Sequence, residues 1–478
     1  MKGTRVVKNY LYNTSYEIIR LLAPLITTPY ISRVLGASGI GAYSYTQSIA
    51  TYFVLVGSVG TTLYGQREIA YVQKDKERCA ETFWEIEIFR FLTSVICTLI
   101  FYLTFRNNPT YGNLYRILSL EVLATAFDIS WFFMGMENFK VTVIRNILIR
   151  LIGIVLIFIF VKKPEDVPVY TLCVTVPIIV GNISLWFNMK KYLVKPSKDV
   201  LKNILPRIKP ILILFLPQVA VEVYTVLDKT MIGIFGTDID QVGYYTNAQK
   251  IIKIVLMIVT SLGTVMLPAM SAAFAEGKTD EVLKGIKTGF RFVFMLAFAL
   301  MFGIIGVASK FVPVFLGNGY ELVVPLMVII SPIIIIIGMS NVIGKQYLLP
   351  TKQQGAYTTS IIVGACINFV LNIILIQKYN AVGASIATVV AELGVTGVQV
   401  WCVRKQLPLG ECLKPFCRYL VLGLVMMVTV YGTGMLLPDG LISVAIMVLV
   451  GVIVYGAELI ITKDELLQLG LNIVRKRR

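Results

Sequence analysis

Charged and amide side chains interrupt the apolar stretches of this chain at spacings that a helix would gather on single faces. Glu17 and Arg20 stand three apart, as do Glu87 and Arg90, and residues three or four apart are neighbours on a helix. Each pair reads either as a locally neutralised ion pair near a helix end or as part of an interior lining. Asp128 lies beside Trp131, and Arg145 and Arg150 follow; these arginines either snorkel to the inner surface or point into a cavity. Glu222 and Lys229 are seven apart with Asp228 adjacent, and Lys250 and Lys253 share one face. Two lysines on one face repel unless an anion lies opposite, which Glu222, Asp228 or a substrate phosphate could supply. Glu17, Asp128 and Glu222 are the acids positioned to couple or gate such a cluster. Asn368 and Asn372, four apart, and Thr388 and Glu392, four apart, offer oxygen ligands that suit a small hard cation such as sodium. Interhelical hydrogen bonding is the other reading of these pairs.

Other chemistry is excluded by composition. The chain has no histidine, which removes the usual zinc sites, Ser-His-Asp chemistry and histidine proton relays together. Its seven cysteines are scattered without a CxxC pair and read as small apolar filler or free thiols. No catalytic constellation and no resident cofactor is expected, apart from a coupling sodium or proton.

The elements that must position these groups are membrane helices. Mean hydropathy is +0.77, with 56% hydrophobic and 15% charged residues, less charge than a soluble domain of this length carries. Long apolar runs such as 251–268, 322–344 and 441–459 suit a hydrocarbon slab about 30 Å thick, and they lack the short alternation of a barrel strand. Segments are expected near 10–32, 41–63, 83–105, 114–136, 142–161 and 169–188, then 211–235, 242–268, 289–310, 322–344, 356–376 and 382–403, then 416–437 and 440–461. That makes about fourteen transmembrane helices in an all-α polytopic protein. The net charge of +17 marks sidedness rather than nucleic-acid binding. With an inside N-terminus the inner loops and tails hold about 29 Lys and Arg against about six outside, so both termini are expected to be cytoplasmic. Met1 to Lys8 is basic, but no removable signal peptide follows.

A shift of 200 residues lays Gly36 on Gly236 and Tyr45-Thr46-Gln47 on Tyr245-Thr246-Asn247. Two six-helix lobes in parallel repeat are therefore expected: residues 1–189, a basic cytoplasmic linker at 190–209, a second lobe at 210–405, and two extra helices with a basic tail at 406–478.

The stretch from Asn9 to Glu68, above all Pro24-Leu-Ile-Thr-Thr-Pro-Tyr-Ile-Ser-Arg33-Val-Leu-Gly-Ala-Ser-Gly-Ile-Gly-Ala-Tyr-Ser-Tyr, and the late stretch Asn372 to Thr388 resemble the Wzx-type oligosaccharide flippases. That family shares a superfamily with the lipid II flippase and the MATE-type multidrug exporters. The resemblance implies a MATE- and lipid II flippase-like architecture of two lobes around a cavity that opens alternately to each side. It implies as substrate an undecaprenyl-diphosphate-linked oligosaccharide unit, moved from the inner to the outer leaflet of the bacterial cytoplasmic membrane for surface polysaccharide synthesis. Other polysaccharide-assembly proteins are the implied partners, together with membrane lipids and no nucleic acid. A cationic cavity would hold the diphosphate, with Arg20, Arg33, Arg90, Arg145, Lys229, Lys250 and Lys253 as the candidate lining. The resemblance also implies a sodium site in the second lobe from Asp228, Asn368, Asn372 and Thr388; Asn372 stands where the family pattern has an acid, and Glu392, one turn from Thr388, could restore the charge. A cation-coupled multidrug exporter is the alternative of the same fold. A membrane glycosyltransferase or polymerase would need large outer loops, whereas the first expected outer loop, Arg33 to Ile40, has eight residues.

Overall fold

The computed structural model describes residues 2–192 and 200–468. Among the described residues the chain is helical, without strands. It forms two compact units, Met1–Ile234 with Asp238–Gly243, and Phe235–Thr237 with Tyr244–Arg478.

In the first unit α1 (Lys2–Ser58) is one long helix with a break. Gly36 sits at φ 68° and ψ −179°, a conformation that a side chain resists and glycine adopts freely. This break separates the first two expected segments without the eight-residue loop expected at Arg33 to Ile40. Val59 and Gly60 both take positive φ and end α1, after which α2 (Thr61–Val72) sets off separately. A Cβ on Gly60 would lie 3.0 Å from Phe215 Cα, so the glycine also lets α8 (Val200–Phe235) pass. Between them run α3 (Lys76–Phe105), α4 (Gly112–Ala124), α5 (Ser130–Gly135), α6 (Phe139–Phe160) and α7 (Val167–Phe187). The fourth expected segment, 114–136, is thus not continuous. α4 tightens into a 3-10 turn at Thr125–Phe127, and Asp128 leaves the helix with φ −82° and ψ 94°. Trp131, Phe132 and Phe133 of α5 then bury completely against Phe83, Ile86 and Ile69. Trp131 stacks on Phe83 with ring centroids 5.6 Å apart, and α2 fits beneath the indole only because residue 65 is glycine.

The second unit holds most of α9 (Asp240–Ala275), then α10 (Thr279–Leu316), α11 (Val323–Ile330), α12 (Ile333–Ile343), α13 (Gln354–Val403), α14 (Leu409–Leu413), α15 (Phe416–Leu436) and α16 (Leu441–Ile461). Phe290, Phe294, Phe298 and Phe302 recur every four residues on α10 and form one ridge. Phe416 of α15 packs edge-on against Phe294 and Phe298, and the Phe302 ring occupies the space left by Gly423. The terminal pair α15 and α16 is therefore fastened to its unit along α10. The expected tenth segment, 322–344, is broken at Ser331-Pro332 and continues through a π-helical turn at Gly344–Leu348. α13 contains two expected segments, divided at Asn380 with φ 50° and ψ −128°.

Eleven of these stretches are long and apolar enough to cross a membrane. Dividing α1 at Gly36 and α13 at Asn380, and adding the 36-residue α8, accounts for the fourteen expected spans. Large apolar side chains cover the outside, with Ile442 at 77% and Ile461 at 78% exposure, as a surface solvated by lipid rather than water requires.

Candidate functional site

Unwinding a helix in hydrocarbon strips carbonyls of their partners, and each bare one costs several kcal/mol. At the break after α4 the Asp128 and Ile129 amides still reach Thr125 O and Phe127 O, and three side chains add further donors. Asn182 Nδ2 donates to Ala124 O at 2.7 Å, Arg90 Nε to Thr125 O at 2.9 Å, and Trp186 Nε1 to Phe127 O at 3.0 Å. The α3 hydroxyl of Ser94 accepts from Thr125 Oγ1 at 2.9 Å. The broken backbone is thus rebuilt from α3 and α7.

The break carries an ion cluster. Asp128 faces Arg90 Nη2 at 3.5 Å on one oxygen and Arg145 Nη2 at 3.4 Å on the other, while its Oδ1 also accepts from the Ser130 amide at 3.0 Å. Arg90 is 2% exposed, and its Nη1 donates to Thr61 and Thr62 at 3.0 and 3.1 Å. Arg145 Nη1 donates to Asn182 Oδ1 at 2.7 Å, which makes Asn182 a bridge between backbone and cation. Arg145 Nε is buried without a hydrogen-bond partner. The spacing of Glu87 and Arg90 suggested a mutual pair, but Arg90 turns instead to Asp128 and the threonines. Glu87 is buried beside the Trp131 indole N–H, with neither carboxyl oxygen in a well-formed hydrogen bond.

A second ionic contact lies in the same unit, at the N-terminal part of α8. Arg207 Nη2 and Nε reach Glu85 Oε2 at 2.5 and 2.6 Å, and Arg207 Nη1 lies 3.7 Å from Glu68. Of the expected basic linker, residues 193–199 fall outside the described residues; Arg207 acts as an anchor to α2 and α3 rather than as a surface charge.

With this geometry in view, the comparisons decide the family. Residues 6–274 match the family model described as "Polysaccharide biosynthesis protein". The chain belongs to that family. A relative from Escherichia coli (strain K12), named "Putative O-antigen transporter", is 24% identical over 402 residues, covering 83% of this chain and 96% of its own. Among solved structures, "Lipid II flippase MurJ, inward closed conformation" matches with a TM-score of 0.75 at 16% identity, covering 96% of this chain and 100% of that one. An inward-facing multidrug resistance MATE family transporter of the MOP superfamily matches with a TM-score of 0.58 at 12% identity, covering 81% of this chain and 98% of that one. The fold expected from the sequence is the fold these structures share.

In this polysaccharide biosynthesis protein the other sequence candidates lie on α1, α8, α9 and α13. Arg20 and Arg33 are exposed on either side of the prolines of α1, and the side chain of Glu17 falls outside the described residues. On α8 Glu222 is exposed, Lys229 half-buried and Asp228 buried; all three belong to the first unit, whereas Lys250 and Lys253 belong to the second. Beside Asp228, Thr230 donates to Ser48 at 2.7 Å and lies 3.0 Å from the Tyr52 hydroxyl, which fixes α8 to α1.

In the second unit Asn372 Nδ2 donates to Asn368 Oδ1 at 3.1 Å, and Thr388 Oγ1 lies 3.1 Å from the Tyr245 hydroxyl, which also accepts from Gln249 at 3.1 Å. Glu392 is half-buried. Asn368 and Asn372 are thus paired with each other, and Thr388 with Tyr245. Among the described residues no group of three or more Cys, Asp or Glu gathers as a metal site. Sequence reasoning missed Asn182, Thr61, Thr62, Glu85 and Arg207 as parts of polar clusters. Asn182 carried the one usable signal, an amide in an apolar span, read only as part of hydropathy.

Proposed function

We propose that this protein is a flippase that moves an undecaprenyl-diphosphate-linked oligosaccharide repeat unit from the cytoplasmic to the outer leaflet of the bacterial inner membrane. Both termini would be cytoplasmic. The observation that carries the reading is the pair of guanidinium groups, Arg90 and Arg145, that meet Asp128 at a broken helix of the first unit, in a chain of the polysaccharide biosynthesis family. Discontinuous helices near the bilayer middle are where transporters of repeated architecture bind ligands, and guanidinium groups are the natural partners of diphosphate. The relative named as an O-antigen transporter and the shared fold with a lipid II flippase support the same substrate class.

Roles within the cluster follow from its contacts. Asp128 bridges the two guanidinium groups and offsets their mutual repulsion, and Arg90, with its donors spent on protein, positions the site. Arg145 keeps one donor in reserve. Glu87, buried beside this cluster with neither oxygen in a well-formed hydrogen bond, is our candidate carrier of the coupling proton. In the second unit the Tyr245–Thr388 hydroxyl contact would serve as a tie between α9 and α13.

The test is transport by purified full-length protein in vesicles loaded with the lipid-linked oligosaccharide, read by accessibility of the sugar to an external glycosidase. Time-dependent exposure that is lost in Arg145→Ala is expected. Export of a cationic dye without any movement of the glycolipid would overturn the reading in favour of a drug exporter.

A further inference from the structure

α6 and α7 run antiparallel and leave a groove of about 730 Å³ along the first unit. Its chemistry is sorted by position. At one end, where α6 begins and α7 finishes, it is lined by Asn138, Lys140, Arg145, Ser184 and Asn188. The rest is aliphatic, from Leu148, Ile152 and Leu156 on α6 and from Val176 and Val180 on α7. From Lys140 to Leu156 the helical rise amounts to about 24 Å, most of the hydrocarbon thickness.

No aspartate or glutamate lines this groove. Lys140 is exposed and makes no ion pair among the described residues, and Arg145 brings to the same end the Nε that has no hydrogen-bond partner. A donor-only head region continuing into an aliphatic slot fits an amphiphile with an anionic head and one long apolar chain. Ile152 and Val180 are 49% and 59% exposed, so the slot lies open along its side. A chain can therefore enter from lipid without threading.

We infer that the α6–α7 groove binds the polyprenyl diphosphate end of the carrier, with the diphosphate at Lys140 and Arg145 and the first isoprene units along Ile152, Leu156, Val176 and Val180. The remainder of the tail stays in lipid. This inference rests on the flippase reading and adds to it the place where the carrier docks. The groove shares Arg145 with the ion cluster, so a diphosphate there would compete with Asp128 for one guanidinium. Docking is thereby tied to the state of the broken helix. On the charge asymmetry of the loops, the donor end lies on the cytoplasmic side, where a carrier to be moved outward must be taken up.

The probe is a polyprenyl diphosphate with a photoreactive group in its second isoprene unit, crosslinked to the full-length protein in nanodiscs and mapped by peptide mass spectrometry. Labels are expected on 148–156 and 176–180. Ile152→Trp with Val180→Trp, which fills the slot, should lower labelling about fivefold, and Lys140→Glu should weaken binding about tenfold, the effect of losing one favourable charge contact. Both positions are exposed, so unaltered thermal unfolding of the variants is the control for folding. Labelling unchanged in the tryptophan variant, labels elsewhere, or equal competition by phosphatidylglycerol would each overturn the groove assignment. Should the vesicle transport assay fail while the groove still labels, the flippase reading falls and the lipid site stands.

Discussion

Replacing Asp128 by asparagine gives a direct measure of the cluster at the broken helix. The substitution keeps the side chain's size and removes the charge that lies 3.5 Å from Arg90 and 3.4 Å from Arg145. At an effective dielectric constant of about 20, each pair is attracted by roughly 5 kcal/mol before desolvation is subtracted. Removing one partner of a buried ion network leaves the other charges uncompensated, and the net loss is typically about 3–5 kcal/mol. Asp128 is 26% exposed, which places the expected loss near the lower figure, about 3 kcal/mol, or roughly 150-fold in the folding equilibrium. The assay is reversible unfolding in mixed micelles, followed by the fluorescence of Trp131 and Trp186, both adjacent to the break. A second variant, Arg145→Gln, and the double variant complete a cycle. A coupling of about 1–2 kcal/mol between positions 128 and 145 is expected for a pair in contact. Stability of Asp128→Asn within about 0.5 kcal/mol of the parent, or additive effects in the cycle, would refute the claim that this carboxylate holds the cluster together.

Three further outcomes follow from the same geometry. Glu87→Gln, which keeps the side chain's size, should leave unfolding within about 1 kcal/mol of the parent while flattening the pH profile of vesicle transport; a profile that still follows pH would remove Glu87 as the proton carrier. Arg207→Ala leaves the carboxylate of Glu85 buried alone and should destabilise by about 2–3 kcal/mol, with Glu85→Gln added to it restoring part of the loss in the same unfolding assay. Gly36→Ala and Gly36→Asn both force a side chain into positive φ with extended ψ, a region open essentially to glycine alone, and should each cost about 1–3 kcal/mol in the same unfolding assay; stability within about 0.5 kcal/mol of the parent would mean that the break does not depend on backbone freedom.

The number of helices was legible because lipid imposes one demand on every span, and hydropathy records it directly. The interruptions were not legible. Residues 114–136 read as one apolar span because Ala124, Thr125 and Phe127 betray no break; the donors that permit it come from Arg90, Asn182 and Trp186, which are distant in sequence. Spacing along one helix likewise predicted Glu87 as the partner of Arg90, whereas the choice of Asp128 is made by tertiary geometry that an i, i+3 rule does not contain. Arg207 was counted as one more inner-loop cation because charge counting ignores which carboxylate a cation meets.

The three donors that cap the open carbonyls after α4 have a consequence for how such a chain can drift over generations. Arg90, Asn182 and Trp186 each answer a different peptide group, so losing any one weakens the break at a carbonyl that no mutation in α4 itself can resupply with a side-chain donor. The trio should therefore be inherited or abandoned as a set. Descendants that replace Asn182 by an aliphatic residue are expected to have changed position 90 or 186 as well, and to have straightened the fourth span into an uninterrupted helix. An alignment of relatives would record this as covariation among three positions that never touch substrate.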